Sequence, residues 1–314
     1  MCNDEPNIFV RREKLALLLA VVLTLGAASG FAIGSILIRI GTQRVAPPVA
    51  TFFTVLTGSI LVCGIAFVVD FSEIKSLSLA VLGWFVLMGF MAYPLARVLH
   101  NSAISMVGAT RTLPMTSLQP VIAFTLGILL LGERPNLLVT VGTPIIVVGL
   151  LLVVLPRPSA HTVERVANVR NLGYLLAIGG SIAFASRDVV SRHVVTGIAP
   201  PFVAAGFALV IGGLILFAFT HRGVVNTVRT VSPRYIAICG LAGLIQGLAI
   251  STLFQALSRA PVTVVSPIFA SQPLIALLLA WLFLRRLEVV DLVLVMGTLL
   301  SVCGVVLVIL GAAN

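Results

Sequence analysis

Charged side chains are scarce in this chain, since Asp, Glu, Lys and Arg make up only 10% of its 314 residues. Soluble domains carry about 25% of these residues, so this chain lacks the charge that covers a globular surface in water. The rest of the composition is 59% hydrophobic, with a mean hydropathy of +1.17. This balance excludes an ordinary soluble enzyme and a disordered chain, and it favours a protein that crosses the bilayer several times.

Acidic residues are the scarcer of the two charged classes, with Asp+Glu 10 against Lys+Arg 20 and a formal charge of +10. In a soluble protein such an excess would suggest a nucleic acid as partner. Here almost every basic residue lies at the end of an apolar run, where it would flank a membrane. We therefore expect the lipid bilayer and a small-molecule substrate as partners, and no nucleic acid.

Lysine and cysteine are also rare. The two lysines, Lys14 and Lys75, do not follow a glycine, so the chain lacks the G-x-x-x-x-G-K-[ST] loop of ATP-driven proteins. The four cysteines have neither paired nor metal-ligand spacing; they are Cys2, Cys63, Cys239 and Cys303. We expect no ATP, no metal and no cofactor.

Long apolar runs fill the sequence. Each of nine runs has at least 21 residues without Asp, Glu, Lys or Arg, which suffices to span a bilayer with about 20 residues. The fourth run is expected to extend back to about Ser102, and a tenth span, 171–194, is interrupted by Arg187 and Asp188. The sequence predicts an all-α integral membrane protein with ten transmembrane helices. The nine runs are 15–38, 45–69, 76–96, 112–132, 135–155, 194–220, 235–258, 260–284 and 292–314.

The two halves of the chain repeat each other at an offset of 153 residues. Ala46-Pro47-Pro48 falls on Ala199-Pro200-Pro201, Gln119-Pro120 falls on Gln272-Pro273, and Pro114 falls on Pro267. The last span follows at an offset of 155, where Gly142-Thr143 matches Gly297-Thr298 and Gly149 matches Gly304. Coincidences of proline are hard to assign to chance, and they indicate an internal duplication.

Each copy of the repeat holds five spans. We divide the chain into an N-terminal tail (1–14), a first five-helix repeat (15–156), a linker (157–170) and a second five-helix repeat (171–311). Because five is odd, the second copy enters the membrane with the opposite orientation. Inverted repeats are a recurring architecture of secondary transporters, with the substrate site at the repeat interface.

The stretch from Asn101 to Leu155 resembles the EamA-domain family of the drug/metabolite transporter (DMT) superfamily. The resemblance rests on Gln119-Pro120, the segment Leu130-Leu131-Gly132-Glu133-Arg134, and the glycines Gly142 and Gly149. The second copy departs from the pattern, because Arg286 aligns with Glu133 and the nearest acid is Glu288. The resemblance implies a multi-pass transporter of the cell (plasma or inner) membrane. It leaves the substrate open among amino acids, sugars, nucleotide conjugates and drugs.

We infer a secondary transporter that moves small metabolites, of the amino acid or organic anion class, by alternating access and in the direction of efflux. Drug efflux and the flipping of a lipid-linked sugar are the alternatives within the superfamily. An intramembrane enzyme is the alternative from another class. The sequence lacks an H-E-x-x-H motif and a second acid to pair with Asp188, so we expect no enzymatic activity and no catalytic residue.

Paired prolines predict broken helices in the fourth span of each repeat. A proline lacks the backbone N–H and clashes with the carbonyl four residues earlier, and unpaired backbone in a bilayer is tolerated where it lines a cavity. The alternative is a packing kink, because proline is common in membrane helices. The four helix-break candidates are Pro114, Pro120, Pro267 and Pro273.

Charged and amide side chains inside the spans are the candidates for a transport cavity, because charge within a membrane is costly. If the arginines share one cavity with a single acid, a substrate with a carboxylate or phosphate is favoured. Snorkelling is the alternative for Arg97 and His100, and local pairing with Arg192 or Arg187 is the alternative for Asp188. The candidates are Arg97, Arg111, Gln119, Arg187, Asp188, Gln246 and Gln272.

Glycines spaced four apart in the first span (Gly26, Gly30 and Gly34) and in the eighth (Gly243 and Gly247) predict close helix packing. The packing is expected within one chain, with a homodimer face as the alternative. The orientation of the termini stays open, because the distribution of basic residues favours termini outside whereas relatives of the family are usually drawn with both inside.

Overall fold

A computed structural model describes residues 5–75, 77–107, 115, 117–154, 167–283 and 292–313. Regular structure in these residues is helical throughout, and no strand occurs among them. The first repeat contains α1 to α7, and the second contains α8 to α13.

The first repeat begins with a long helix, and several of its helices start at the positions that proline favours. Pro47 and Pro48 open α2, where the missing N–H costs nothing. The elements are α1 (Glu5–Gly41), α2 (Pro47–Val69), α3 (Phe71–Lys75), α4 (Leu79–Phe90), a π-helical segment π1 (Met91–Ala96), α5 (Arg97–Val107), α6 (Gln119–Leu131) and α7 (Leu137–Val154).

The second repeat follows the same order. Pro201 opens α9 and Pro233 opens α10, and Ala270 and Ser271 separate two short helices, α11 and α12. The elements are α8 (Ala167–Gly197), α9 (Pro201–Thr230), α10 (Pro233–Leu257), α11 (Val262–Phe269), α12 (Gln272–Phe283) and α13 (Leu292–Ala313).

Six of these helices are long and apolar enough to cross a membrane, and shorter apolar helices accompany them. Large apolar side chains point outward, as shown by Leu79 and Phe219 at 86% and 80% exposure. A surface of this kind suits lipid rather than water. The chain is therefore a multi-pass membrane protein, while the number of ten spans stays a prediction.

The third span is longer than the sequence predicts. We expected it to end at residue 96 and the fourth span to begin near Ser102, yet α4, π1 and α5 form one helix from Leu79 to Val107. Ser102 therefore belongs to the third span. Pro94 lies inside the helix, and the wide turn of π1 accommodates its missing N–H without ending the helix.

Corresponding helices of the two repeats pack in corresponding ways. The pair α1 and α10 has its counterpart in α8 and α5, and the pair α2 and α10 has its counterpart in α9 and α4. The fifth helices, α7 and α13, pack on each other. The contacts between helices therefore follow the internal duplication of the sequence.

The fifth helices run antiparallel. A Cβ added at Gly142 would lie 2.9 Å from the carbonyl oxygen of Gly304, and one added at Gly149 would lie 2.7 Å from that of Gly297. Gly142 and Gly297 are counterparts in the repeat, as are Gly149 and Gly304. Each of the two α7 glycines therefore contacts the counterpart of the other α7 glycine. Glycine lets the two backbones approach this closely.

The same end of the bundle holds the start of α1 and the ends of α10 and α13. Gly41 at the end of α1 lies beside Tyr235 near the start of α10, so these helices are antiparallel. Gly311 near the end of α13 lies beside Asn136 at the start of α7. We call this end the termini face and the other end the opposite face.

The predicted glycine packing occurs within the chain. Gly30 and Gly34 of α1 meet Ala249 and Gln246 of α10. Gly243 and Gly247, also in α10, meet α2 at Thr54 and Gly58. Nothing lies within 4 Å of a Cβ added at Gly26 in the described part of the chain.

Candidate functional site

A small cavity lies between the two repeats. Three of its polar residues come from different places in the chain: Arg97 starts α5, Tyr93 lies in π1, and Gln246 lies at the middle of α10. The guanidinium carbon of Arg97 lies 5.6 Å from the centre of the Tyr93 ring, within range of a cation–π contact. The remaining lining residues are Phe31, Thr54, Val55, Leu209 and Gly247.

The π-helical segment sets the position of Tyr93 and Arg97. Pro94 follows Tyr93 directly and removes one backbone donor from the helix, and the chain widens into a π turn over Met91–Ala96. Gly212 of α9 packs against Tyr93, and a Cβ added there would lie 2.3 Å from the ring. The ring is thus held from one side by α9 while Arg97 covers it from another. π turns of this kind occur often at functional sites.

The cavity lies where the two repeats meet. Tyr93 and Gln246 are separated by 153 residues, the offset of the internal repeat, and Pro94 and Gly247 share this relation. Both Tyr93 and Gln246 line the cavity. Counterpart residues can face one space only close to the axis that relates the repeats, so the cavity lies at that axis.

A second polar group lies on α8 beside the start of α6. Arg187 and Asp188 are buried, at 7% and 3% exposure, and Nη2 of Arg187 lies 2.6 Å from Oδ1 of Asp188. Nε2 of Gln119 donates to Oδ2 of Asp188 at 3.1 Å. Gln119 is the first residue of α6, so Asp188 fixes the start of that helix. The guanidinium carbon of Arg187 also lies 5.8 Å from the centre of the Phe184 ring.

The two groups of charge influence each other. Arg97 and Arg187 both act electrostatically on Tyr93 and on one another. Two guanidinium groups and the one carboxylate of Asp188 leave a net charge of +1 among these residues. Nε of Arg187 is buried and finds no hydrogen-bond acceptor in the part of the chain that the structure describes. An unsatisfied donor in a positive, buried region is suited to an anionic group.

Four expected positions lie at helix starts or inside a helix. Pro120 is the second residue of α6, and Pro273 is the second residue of α12, directly after the separation between α11 and α12. Pro267 lies inside α11, two residues before that helix ends. Gln272 is the first residue of α12, the counterpart of Gln119. Arg111 and Pro114 lie outside the described residues.

Arg192 does not neutralise Asp188, although the two are spaced for an i,i+4 pair. Nη1 of Arg192 donates to the carbonyl oxygen of Leu257, and its Nε lies 3.9 Å from Oε1 of Glu133. Arg97 lines the cavity, as expected for a transport-cavity residue, and snorkelling stays the alternative.

Sequence reasoning missed Tyr93 and Thr54 as cavity residues. Tyr93 carried two usable signals: it precedes a proline inside an apolar run, and it falls on Gln246 at the repeat offset. Thr54 carried none, because threonine is frequent in membrane helices and its neighbours are apolar. Its contact with the cavity depends on the crossing of α2 and α10.

Comparison with known proteins identifies the family. The sequence profile of the EamA-like transporter family matches residues 18–155 and 171–310, the two repeats. A solved crystal structure with 19% sequence identity superposes with a TM-score of 0.72, over 93% of this chain and 94% of that chain. No curated protein matches the sequence. The chain belongs to the EamA-like transporter family, and it is therefore a membrane transporter of the drug/metabolite transporter superfamily.

Proposed function

We propose that this member of the EamA-like transporter family is a secondary transporter of small anionic metabolites, of the amino acid or organic anion class. The observation that carries the proposal is the positively charged cavity at the meeting of the two repeats. Arg97 lines this cavity, and Arg187, which lies outside the lining, interacts electrostatically with Arg97. A buried excess of positive charge is costly inside a membrane, and an anionic substrate would offset it.

The chemistry of the lining favours a carboxylate or a phosphate on the substrate. Arginine presents a planar set of donors that fits either group with two parallel hydrogen bonds. Gln246 adds an amide that can donate and accept, and the Tyr93 hydroxyl can do the same. Phe31, Val55 and Leu209 supply apolar contact for the rest of a small solute. The lining thus offers polar groups for an anionic end and apolar contact for the rest of a solute.

The arrangement of the repeats supports alternating access. The fifth helices run antiparallel, with Gly142 against Gly304 and Gly149 against Gly297. The cavity lies at the repeat axis. In transporters with inverted repeats, the substrate site lies at such an interface and the repeats rock around it. The fourth span of the second repeat, which is interrupted between α11 and α12, is suited to this bending.

We assign the energy source to a solute or ion gradient, because the sequence offers no phosphate-binding loop. We assign the direction to efflux across the cell membrane, following the family resemblance. Export of a drug or flipping of a lipid-linked sugar would instead place a large or neutral molecule at the cavity.

Replacement of Arg97 tests the proposed substrate class. In detergent-solubilised protein, a panel of small carboxylates and phosphates should raise the melting temperature of the wild type through binding to the folded state. We expect Arg97→Ala to abolish this stabilisation and Arg97→Lys to keep part of it, because lysine retains the charge without the planar fork.

The matched control removes an arginine from the surface. Arg259→Ala deletes an exposed side chain that bonds within its own turn to Gln255, and it should leave ligand stabilisation unchanged. Stabilisation of both the wild type and Arg97→Ala by the same anions would overturn the assignment of Arg97. Stabilisation by neutral or cationic compounds alone would favour the drug or lipid alternative.

A further inference from the structure

A contact between the repeats closes around Glu133. Oε1 of Glu133 accepts a hydrogen bond from the backbone N–H of Val262 at 2.8 Å, and Oε2 accepts one from Thr263 at 2.9 Å. Val262 and Thr263 are the first two residues of α11. The carboxylate of the first repeat thus satisfies two of the N–H groups that the start of a helix in the second repeat leaves without partners.

Two glycines of α6 place Glu133 at this position. Gly132 ends α6 with φ of 66°, a conformation that glycine adopts without strain, and the N–H of Glu133 donates to the carbonyl of Gly127 at 3.2 Å. This turn directs the Glu133 side chain back along α6. Gly127 has no side chain, and a Cβ there would lie 2.5 Å from Cγ1 of Val262. The start of α11 therefore rests directly on the α6 backbone.

Arg192 joins two further helices to the same point. From α8, it donates to the carbonyl of Leu257 at the end of α10, and its Nε faces Oε1 of Glu133 at 3.9 Å. The contact thereby connects α6 with α8, α10 and α11. It lies on the termini face, because Leu257 is the last residue of α10. Measured along α10, it lies about 16 Å from Gln246 in the cavity.

We propose that Glu133 is a latch that closes the transport path on the termini face, and that the path opens there when its two hydrogen bonds to α11 break. The latch rests on the proposed alternating access, because closing one face is the step that such a cycle requires. The bonds join the first repeat to the second, so a motion that separates α6 from the start of α11 would break them. They are charge-assisted, and their geometry depends on both repeats.

Accessibility of the cavity from the two faces tests the latch. We would replace the four cysteines by alanine and introduce Thr54→Cys as a reporter in the cavity. Membrane-impermeant thiol reagents would then be applied to vesicles of both orientations, with a tag on the N-terminus to identify the termini face. Glu133→Gln keeps the shape but leaves one acceptor, so one N–H of α11 loses its partner.

We expect Glu133→Gln to raise the labelling rate from the termini face at least about tenfold, the change that the loss of one charge-assisted hydrogen bond brings. Labelling from the opposite face should fall. Glu73→Gln serves as the matched control, since it removes an exposed acid from α3 and should change neither rate. An equal rise from both faces would mean general loosening, and unchanged rates would remove Glu133 from gating. Either result overturns the latch.

A reversible cross-link provides the second variant. Gly127→Cys with Val262→Cys places two thiols on backbones in direct contact, in the same alanine background. We expect oxidation to block both labelling from the termini face and transport, and reduction to restore both. Full transport in the oxidised protein would overturn the proposal. The labelling needs no substrate. If Glu133→Gln changes the labelling rates as expected but the protein transports no anion, the proposed function is contradicted and the latch stands.

Discussion

The carboxylate of Asp188 is held by Arg187 on its own helix and by Gln119 across the interface with α6. Asp188 is 3% exposed, so removal of Arg187 leaves its buried charge without an opposite charge, and removal of Gln119 leaves it one hydrogen bond short. At the scale of the residue, Asp188 therefore serves both as the counter-ion of a buried arginine and as the anchor of a helix start.

Removing one member of this ion pair should destabilise the protein more than removing both. We expect Asp188→Leu to cost about 3–5 kcal/mol, because the buried Arg187 is left unpaired, and Arg187→Met with Asp188→Leu to cost less. Thermal unfolding in detergent measures both. A double variant that melts at or below the single variant would contradict the pairing.

The Gln119 hydrogen bond is testable in the same way. Gln119→Leu removes the donor, and we expect a smaller loss of about 1.5–3 kcal/mol, the range for a hydrogen bond to a charged group. In a double-mutant cycle with Asp188→Leu, the two effects should not add, because both substitutions delete one contact. Additive losses would show that Gln119 and Asp188 act separately.

The sequence identifies which single residues are unusual, but not which partners they contact. Charge in an apolar run identifies Arg187 and Asp188 as unusual whatever the fold, because the cost of burial is local information. The partner of each charge is not local: Arg192 is correctly spaced for Asp188 and instead bonds to Leu257 and Glu133. The same limit applies to Thr54, whose role depends on how α2 crosses α10.

At the scale of the element, close backbone contact holds α7 against α13. Gly142 and Gly149 oppose Gly304 and Gly297, and Asn136 at the start of α7 donates to the carbonyl of Gly311 in α13. Dispersion and close approach are what pack helices in lipid, because no hydrophobic effect drives them together there.

A methyl group in this seam should separate the helices. We expect Gly149→Ala to lower the melting temperature, because its Cβ would lie 2.5 Å from the backbone nitrogen of Ser301. Gly26→Ala is the control: a Cβ there meets no described atom within 4 Å, and alanine is the better helix former by about 1 kcal/mol. A Gly149→Ala protein as stable as Gly26→Ala would contradict the packing.

Helix starts were predictable where proline marks them, as at Pro47, Pro201 and Pro233. The interior of a helix was less so. Pro94 neither ends nor breaks the third span, since π1 absorbs it, and Pro267 remains within α11. Propensity assigns a cost to an interior proline, but neighbouring helices decide whether a break, a wide turn or no change accommodates it.

For the whole molecule, most of what the sequence predicts about the fold comes from the internal repeat. The offset of 153 residues predicts two related halves, and the family profile and the paired helix contacts agree with it. It also predicts where counterpart residues meet, as Tyr93 and Gln246 do. The chemistry of the substrate is less constrained, because the sequence fixes which polar groups exist but not which of them share one space.

We propose that a small anion crosses the membrane through the cavity at Arg97, driven by a gradient and not by ATP. Flux into proteoliposomes of purified protein, measured over matched carboxylates, phosphates, neutral analogues and cationic analogues without ATP, tests this most directly. We predict saturable, gradient-driven flux of carboxylates or phosphates, reduced at least about tenfold by Arg97→Ala, the loss expected when one charged hydrogen-bonding partner is removed. Flux restricted to neutral or cationic compounds, or anion flux that Arg97→Ala leaves unchanged, would contradict the account.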